Sequence, residues 1–276
     1  MFFANKNPEE LLRLANNVTE DEENVVLHKE YIQLLPESLE PYREELEATL
    51  KLSNEITFVR GTTQPWKSKL GGCPYLENVN EYPMDRTGQP MMFLAQINLE
   101  EMPPLPDFPT KGILQFYVTD DDVYGLEDGC VVKYIPTYHK DESKLLSMNP
   151  FHNQYKNYEP FDTNCKIYFT QRKMFISSDV EKFDEMFYDR LSSDEYDQLY
   201  DICHAEESRV GGYPMFVQNS PSYYDDGTVD ILLLQLDVDG TSGLMFGDGG
   251  NCCFFISKQD LKNLDFSNVE YDWQCC

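Results

Sequence analysis

The sequence predicts an α+β protein that is mainly β, in which two related β units form one roll-like core and helices pack outside it. Three observations predict this class. Hydrophobic residues make up 41% and aromatic residues 13% of the 276 residues, which is enough to fill a large core. Short runs rich in aromatic and β-branched residues are separated by Pro, Gly and Asp, a pattern typical of strands and turns. Similar segments recur about 140 residues apart, which indicates an internal repeat.

The chain divides by composition into four parts of one compact domain. In the first part, apolar residues at helical spacing predict helices after Pro8, from near Asp21 to Leu35, and from Ser38. The later parts contain short apolar runs that predict strands, interrupted by an acidic helical stretch. The four parts are a helical arm at 1–55, a first β unit at 56–140, a helical insertion at 141–205 and a second β unit at 206–276.

Each predicted strand is a run of aromatic and β-branched residues bounded by turn formers. Two acidic helices are predicted between the β units, at 180–188 and 193–204. The second begins with Ser192 and Ser193, which suit a helix N-cap. The first five predicted strands are 56–59, 91–99, 113–118, 131–135 and 166–169.

The internal repeat depends on three matches between the two halves. Chance is the alternative explanation, because glycine pairs and apolar runs are common. Three matches nearly in register nevertheless favour a duplicated β unit. The matches are Gly-Gly-Cys-Pro at 71–74 with Gly-Gly-Tyr-Pro at 211–214 at an offset of 140, 94–99 with 233–238 at an offset of 139, and 115–118 with 254–257 at the same offset of 139.

The matched strands carry the same polar pattern. Side chains alternate along a strand, so Gln96 and Asn98 share a face with Leu94. Gln235 and Asp237 share a face in the second copy. A buried glutamine without hydrogen-bond partners costs about 1–3 kcal/mol. Two interpretations follow: each glutamine bonds the backbone of a neighbouring turn or loop, or the two polar pairs meet in one pocket that binds a small ligand.

The sequence contains no recognisable catalytic, metal or cofactor motif. Asp237, Asp239 and Asp248 resemble a calcium loop, but Ser242 stands where that loop needs glycine, and the last ligand is aspartate in place of glutamate. The glycine-rich segment 247–251 could hold an anion, although a tight hairpin explains it as well. The eight cysteines and four histidines lack ligand spacing. We therefore predict reduced thiols, no metal, no cofactor and no catalytic residues.

The charge balance excludes several classes of function. With 22 basic and 49 acidic residues, the formal net charge is -27. Phosphate neutralisation needs clustered Lys and Arg, so no nucleic-acid partner is expected. The first residues lack the basic start and apolar core of an export signal, and no run of 18 apolar residues follows. We therefore expect a cytoplasmic protein that has no membrane partner.

The acidic excess is concentrated in the helices of the predicted insertion. Residues 181–207 contain ten acidic residues but only Lys182 and Arg190 as Lys or Arg. Such a stretch is either a solvated helical surface or a docking surface for a basic partner. The residues of this candidate partner site are Glu181, Asp184, Glu185, Asp194, Glu195 and Asp197.

Several short motifs stand together in the chain: Leu70-Gly71-Gly72 followed by Pro74, the runs 88–99 and 112–116, then 211–214, 233–237 and Gly247-Asp248. As a set they resemble the YwqG-like family of bacterial proteins of unknown function. The resemblance covers nearly the whole chain after the helical arm. It implies a bacterial cytoplasmic protein with a mainly β, roll-like core decorated by helices. It implies no agreed reaction, cofactor or catalytic residue.

We therefore expect a binding or interaction protein without enzymatic activity. One example is an acidic immunity-type protein that sequesters a basic toxin through residues 181–207. The charge and the missing catalytic motifs motivate this expectation. The alternative is a small-molecule binding or hydrolytic enzyme with a polar pocket between the two β units, whose ligand-binding residues would be Gln96, Asn98, Gln235, Asp237 and Asp248.

Overall fold

A computed structural model of the protein describes residues 35–126 and 129–275. The first predicted helix and almost all of the second lie outside the described residues. The fold is mainly β, as the sequence predicts, and ten antiparallel strands form one sheet that curls into a nearly closed barrel. The strands are β1 (Lys51–Arg60), β2 (Lys69–Leu70), β3 (Met92–Asn98), β4 (Ile113–Val118), β5 (Cys130–Ile135), β6 (Cys165–Met174), β7 (Arg209–Gly211), β8 (Ile231–Leu236), β9 (Asn251–Ile256) and β10 (Glu270–Gln274).

Strands β1 and β6 form the centre of the sheet. They pair along their whole length, from Lys51 opposite Met174 to Arg60 opposite Cys165. Beyond β1 the order is β7, β8, β9 and β10, and beyond β6 it is β2, β3, β4 and β5. Two flanks of four strands, which we call the β2–β5 flank and the β7–β10 flank, therefore lie on either side of the central pair.

The central strands correct two predicted boundaries. The helical arm does not extend to residue 55, because β1 begins at Lys51, and β6 runs well beyond the predicted strand 166–169. The physical reason is that β1 buries polar side chains. Asn54 is fully buried, and its Nδ2 donates to the carbonyl of Pro103 at 2.7 Å. Polar residues of this kind interrupt the apolar pattern, so the sequence signal is shorter than the strand.

The helices lie outside the barrel. The α-helices within the described residues are α1 (Arg43–Glu47), α2 (Glu181–Phe187), α3 (Ser193–Cys203), α4 (Ser222–Asp225) and α5 (Lys258–Asn263). A 3-10 helix at Glu37–Tyr42 continues into α1, close to the helix predicted from Ser38. Helices α2 and α3 match the predicted 180–188 and 193–204. Every helix in the described part of the chain is too short or too polar to cross a bilayer.

Ser192 caps α3, as its sequence predicts. Its Oγ accepts a hydrogen bond from the backbone N–H of Glu195, and the Glu195 carboxylate accepts one from the Ser192 N–H, which makes a capping box. We expect Ser192→Ala to lower the free energy of unfolding by about 1 kcal/mol, because one helical N–H loses its partner. Urea denaturation followed by circular dichroism measures this. Ser193→Ala is the matched control and should stay within about 0.5 kcal/mol; equal losses would contradict the cap.

One packed core fills the interior of the barrel. Phe116 of β4 meets Phe254 of β9 edge to face, with ring centroids 5.0 Å apart, so the two flanks share this core. The loops after β3 and β8 add Leu105 and Phe246 to the same cluster. The interior therefore resembles the core of a small barrel, filled by side chains.

Bulges in β3 and β8 change which side chains face this core. The register of β3 against β4 shifts at Leu94, and the register of β8 against β9 shifts at Leu233. Both leucines therefore belong to the interior cluster. Strict alternation placed Leu94 on the same face as Gln96, and the bulge explains why that prediction is wrong.

The outer face of each flank is also covered. On the β7–β10 flank, Phe183 of α2 and Leu199 of α3 join a cluster with Phe255 of β9. On the β2–β5 flank, Tyr82 packs edge to face on Tyr117 of β4, with centroids 5.4 Å apart. Because both faces of these strands are buried, polar side chains within them need partners inside the protein.

Candidate functional site

Gln96 bonds the backbone of the loop that precedes its strand. It is fully buried in β3. Its Oε1 accepts from the N–H of Tyr75 at 2.7 Å. Its Nε2 donates to the carbonyls of Pro65 and Lys67, each at 2.8 Å. The side chain amide is therefore satisfied by three backbone groups, which matches the first interpretation of the polar pattern.

Gln235 makes the same three bonds in the other flank. It is fully buried in β8, and its Oε1 accepts from the N–H of Met215 at 2.8 Å. Its Nε2 donates to the carbonyls of Ala205 and Glu207, each at 2.9 Å. Strands β3 and β8 are separated by four strands in the sheet order, and the hydrogen-bond partners of each glutamine lie in its own flank and in the loop that leads into it. The structure does not bring Gln96 and Gln235 together in one pocket.

Asn98 and Asp237 also act within their own flanks. The backbone N–H of Asn98 donates to Ser68 Oγ, and that of Asp237 donates to Ser208 Oγ, both at 2.9 Å. The Asn98 Nδ2 donates to Tyr138 Oη at 2.9 Å. Burial raises the pKa of the Asp237 carboxyl, while backbone N–H groups that donate to it oppose the shift. Both residues hold loops against the end of a strand.

The hydrogen-bond network continues through Gln115 and Cys253, which the sequence comparison misaligned. Gln115 Nε2 donates to Gln96 Oε1 at 2.9 Å, and Cys253 Sγ lies 3.5 Å from Gln235 Oε1. The two pairs occupy matching places in their flanks, because Gln96 is opposite Gln115 and Gln235 is opposite Cys253. The sequence match placed Gln115 opposite Phe254, one residue too far, because the segment between the paired positions is one residue shorter in the second flank.

A buried cation precedes the double glycine in each flank. Lys69 Nζ donates to the carbonyls of Gln64, Pro65 and Cys73, each at 3.0 Å. Burial lowers the pKa of the Lys69 ammonium to about 8. Arg209 stands at the equivalent place and donates to loop carbonyls through its guanidinium. The sequence holds a signal for this pair, since a basic residue stands two positions before both double glycines.

Asp248 lies apart from the other four predicted ligand-binding residues. It is exposed in a tight hairpin, in which Phe246 and Gly250 exchange backbone hydrogen bonds at 3.1 and 2.8 Å. The hairpin interpretation of 247–251 is therefore sufficient. Asp239 Oδ1 accepts from the N–H and Oγ of Ser242, each at 2.7 Å, as a turn-forming aspartate does. Within the described ranges, no group of three His, Cys, Asp or Glu side chains is placed to hold a metal ion.

Two of the depressions on the surface of the described residues can be compared with the predicted polar pocket. One, of about 280 Å³, lies beside Leu99 and Pro104, and the other, of about 390 Å³, lies beside Thr228 and Lys258. Neither is lined by any of the five predicted ligand-binding residues. Neither of these two depressions therefore corresponds to the predicted polar pocket.

Helices α2 and α3 present the predicted acidic residues on an exposed surface. Asp184 accepts a hydrogen bond from Tyr196 Oη, and Glu195 belongs to the capping box, so these two carboxylates also stabilise the helices. Tyr188 is 66% exposed, and its ring packs edge to face on Tyr196 with centroids 5.6 Å apart. We call the exposed residues of this surface the acidic-aromatic face: Glu181, Asp184, Glu185, Tyr188, Asp189, Asp194 and Asp197.

Comparison with protein families gives a match over most of the chain. Residues 68–275 match the family described as a domain of unknown function, DUF1963. A comparison with curated proteins found no match. The matched range begins just before β2 and includes both flanks, the acidic helices and both glutamines.

Proposed function

The chain belongs to the DUF1963 family, and we propose that it is a binding protein without enzymatic activity whose partner is a basic protein. The acidic-aromatic face carries this proposal. It combines a dense set of carboxylates with Tyr188, an aromatic side chain that is 66% exposed. Carboxylates alone would suit a solvated helix surface, whereas an exposed aromatic ring beside them offers apolar contact area to a partner. Tyrosine is enriched in protein interfaces, whereas Asp and Glu are depleted at their core. Charged residues around such a core steer a partner of opposite charge.

The geometry of Tyr188 supports contact with Lys or Arg side chains. Its ring is held by the edge-to-face contact with Tyr196, which reduces the entropy lost on binding. An exposed aromatic face attracts a cationic group by about 0.5–1 kcal/mol, and neighbouring carboxylates pair with further basic residues. A basic toxin, held as an immunity-type protein would hold it, is one partner of this chemistry.

We also infer that the two flanks come from a duplicated β unit, as the sequence repeat suggests. Both flanks have a bulge two residues before the buried glutamine. Each glutamine bonds equivalent backbone groups. The residue two positions after each glutamine, Asn98 or Asp237, donates its backbone N–H to an equivalent serine. The supporting pairs, all at an offset of 140, are Pro65 with Ala205, Lys67 with Glu207, Ser68 with Ser208 and Tyr75 with Met215.

The finer family assignment is a proposal that extends the resemblance seen in the sequence. We propose that the chain is related to the YwqG-like proteins and shares their bacterial, cytoplasmic setting. The motifs that carry the resemblance include the double glycines and the glutamine strands, and the match to DUF1963 covers all of them. The structure favours the binding protein over the alternative, a small-molecule or hydrolytic enzyme, because the amides of Gln96 and Gln235 are bonded to backbone.

Reversing charge on the acidic-aromatic face tests the proposed function. The triple variant Glu181→Lys, Glu185→Lys and Asp197→Lys should weaken binding of a basic polypeptide such as poly-L-lysine by about tenfold or more, because attraction becomes repulsion at the contact. Tyr188→Ala should weaken it further without any change in charge. Fluorescence anisotropy at several salt concentrations measures the affinity.

A second triple variant separates this face from net charge alone. Asp122, Glu142 and Glu270 are exposed and lie on other elements, and their reversal to Lys changes the net charge equally. This control should bind more tightly than the face variant. Equal affinities of the two variants, or unchanged capture of basic proteins from a lysate by the face variant, would remove the acidic-aromatic face from the proposal.

A further inference from the structure

His204 stands at the junction between the acidic helices and the barrel. It follows α3 directly and leads toward β7. Across the junction, Asp179 lies just before α2. The N–H of Ser178 donates to the carbonyl of Cys203 at 3.1 Å. This hydrogen bond joins the segment before α2 to the end of α3. The beginning of α2 and the end of α3 therefore meet beside His204.

The imidazole of His204 lies between two carboxylates. Its Nδ1 is 3.4 Å from Asp179 Oδ2, and its Nε2 is 3.5 Å from Glu206 Oε1. The Asp179 side chain is only 4% exposed, and its other oxygen accepts from Tyr200 Oη at 3.1 Å. A neutral imidazole carries one N–H and can donate to only one carboxylate. The imidazolium carries two and can donate to both.

The groups that face His204 favour the positive form. Asp179 approaches from the α2 side, Glu206 from the connection to β7, and Asp237 from the end of β8, while the ring of Tyr200 in α3 stacks on the imidazole with centroids 6.0 Å apart. Arg209 of β7 is a cation near Asp237, and it donates to loop carbonyls. The carboxylate of Asp179 beside Nδ1, together with Glu206 and Asp237, raises the pKa of His204, whereas burial opposes the shift.

We propose that protonation of His204 strengthens the contact between the segment before α2 and the end of α3, where the helix pair joins the barrel, and that deprotonation weakens this contact. The folded protein holds the proton more tightly than the unfolded chain. The stabilisation from protonated His204 is therefore fully present below the unfolded histidine pKa of about 6.5, and it is lost as the pH rises through the higher folded pKa. This inference goes beyond the proposed function, because it concerns how the helices that carry the acidic-aromatic face are anchored. It is valid whichever partner binds that face.

Hydrogen exchange of the helix pair tests the proposal. Amides of α2 and α3, corrected for intrinsic exchange, should lose protection by about threefold or more between pH 6 and pH 8, a modest effect for a part-exposed pair. The imidazole signal of His204, assigned with His204→Gln, should titrate above pH 6.5 in NMR spectra. In His204→Gln the pH dependence of protection should disappear, because the neutral amide cannot gain a proton. If the amide protection of α2 and α3 does not change with pH in the natural sequence, the proposal is overturned.

Two further variants complete the test. His152 also contacts a carboxylate, since its Nε2 lies 3.0 Å from Glu159 Oε2, but it lies in a different segment. His152→Gln should therefore leave the pH dependence of α2 and α3 intact, and loss of that dependence would contradict the assignment to His204. Asp179→Asn tests the partner independently if His204→Gln folds poorly. It should lower the pKa of His204 toward its ordinary value. An unchanged titration of His204 would contradict the proposal that Asp179 is its partner.

Discussion

Gln96→Leu is expected to lower the free energy of unfolding by about 3–5 kcal/mol. Leucine fills a similar volume, but it leaves the N–H of Tyr75 and the carbonyls of Pro65 and Lys67 without their buried partner. Each buried polar group left unsatisfied costs about 1–3 kcal/mol, and local relaxation recovers a part of the total. Urea denaturation monitored by circular dichroism measures the change, and an unchanged m value would show that the unfolded state is unaffected.

Matched variants show whether the lost bonds are the cause. Gln235→Leu removes the same three bonds from the other flank and should cost a similar amount. Gln198→Leu is the control, because Gln198 is exposed on α3, and it should change stability by no more than about 0.5 kcal/mol. A loss below about 1 kcal/mol for both Gln96→Leu and Gln235→Leu would contradict the role of the glutamines as loop anchors.

Strands that contain a run of several apolar or β-branched residues could be predicted from the sequence, and short or largely polar strands could not. Strand β4 coincides with the predicted 113–118, since every residue in it is buried. Strands β2 and β7 are two and three residues long, too short for any periodic pattern. Strand β10 was not predicted, because its apolar residues are only Tyr271 and Trp273, between polar neighbours. Short strands of this kind are determined by pairing with their neighbours and not by local propensity.

The sequence identified the buried glutamines but not the identity of their partners. The apolar runs around Gln96 and Gln235 marked them as polar residues within apolar strands. A buried side chain amide needs hydrogen-bond partners, so both were expected to be bonded. The bonded groups are loop backbone atoms whose positions depend on tertiary folding, so both interpretations stayed open. Gln115 was missed because the aligned segments differ by one residue in length. His204 and Asp179 were missed as a pair because they lie at opposite ends of the helix pair.

Gly250→Ala is expected to lower the free energy of unfolding by roughly 3 kcal/mol or more and to displace β10. Gly250 closes the hairpin that carries Asp248 and leads into β9. A Cβ at this position would overlap the carbonyl oxygen of Gln274 in β10 and lie 2.7 Å from the carbonyl oxygen of Phe246. Both obstacles are backbone atoms, so no side chain rotation relieves the overlap, and the strand itself must move.

Trp273 reports whether β10 has moved. It lies beside Gln274, and its Nε1 donates to the carbonyl of Val123, so β10 is bonded to the loop that follows β4. Displacement of β10 should expose the indole and shift its fluorescence to longer wavelength. Gly240→Ala is the matched control, because no atom lies within 4 Å of a Cβ there, and it should change stability by less than about 1 kcal/mol. Native fluorescence and a native urea midpoint in Gly250→Ala would show that β10 does not pack against the hairpin as described.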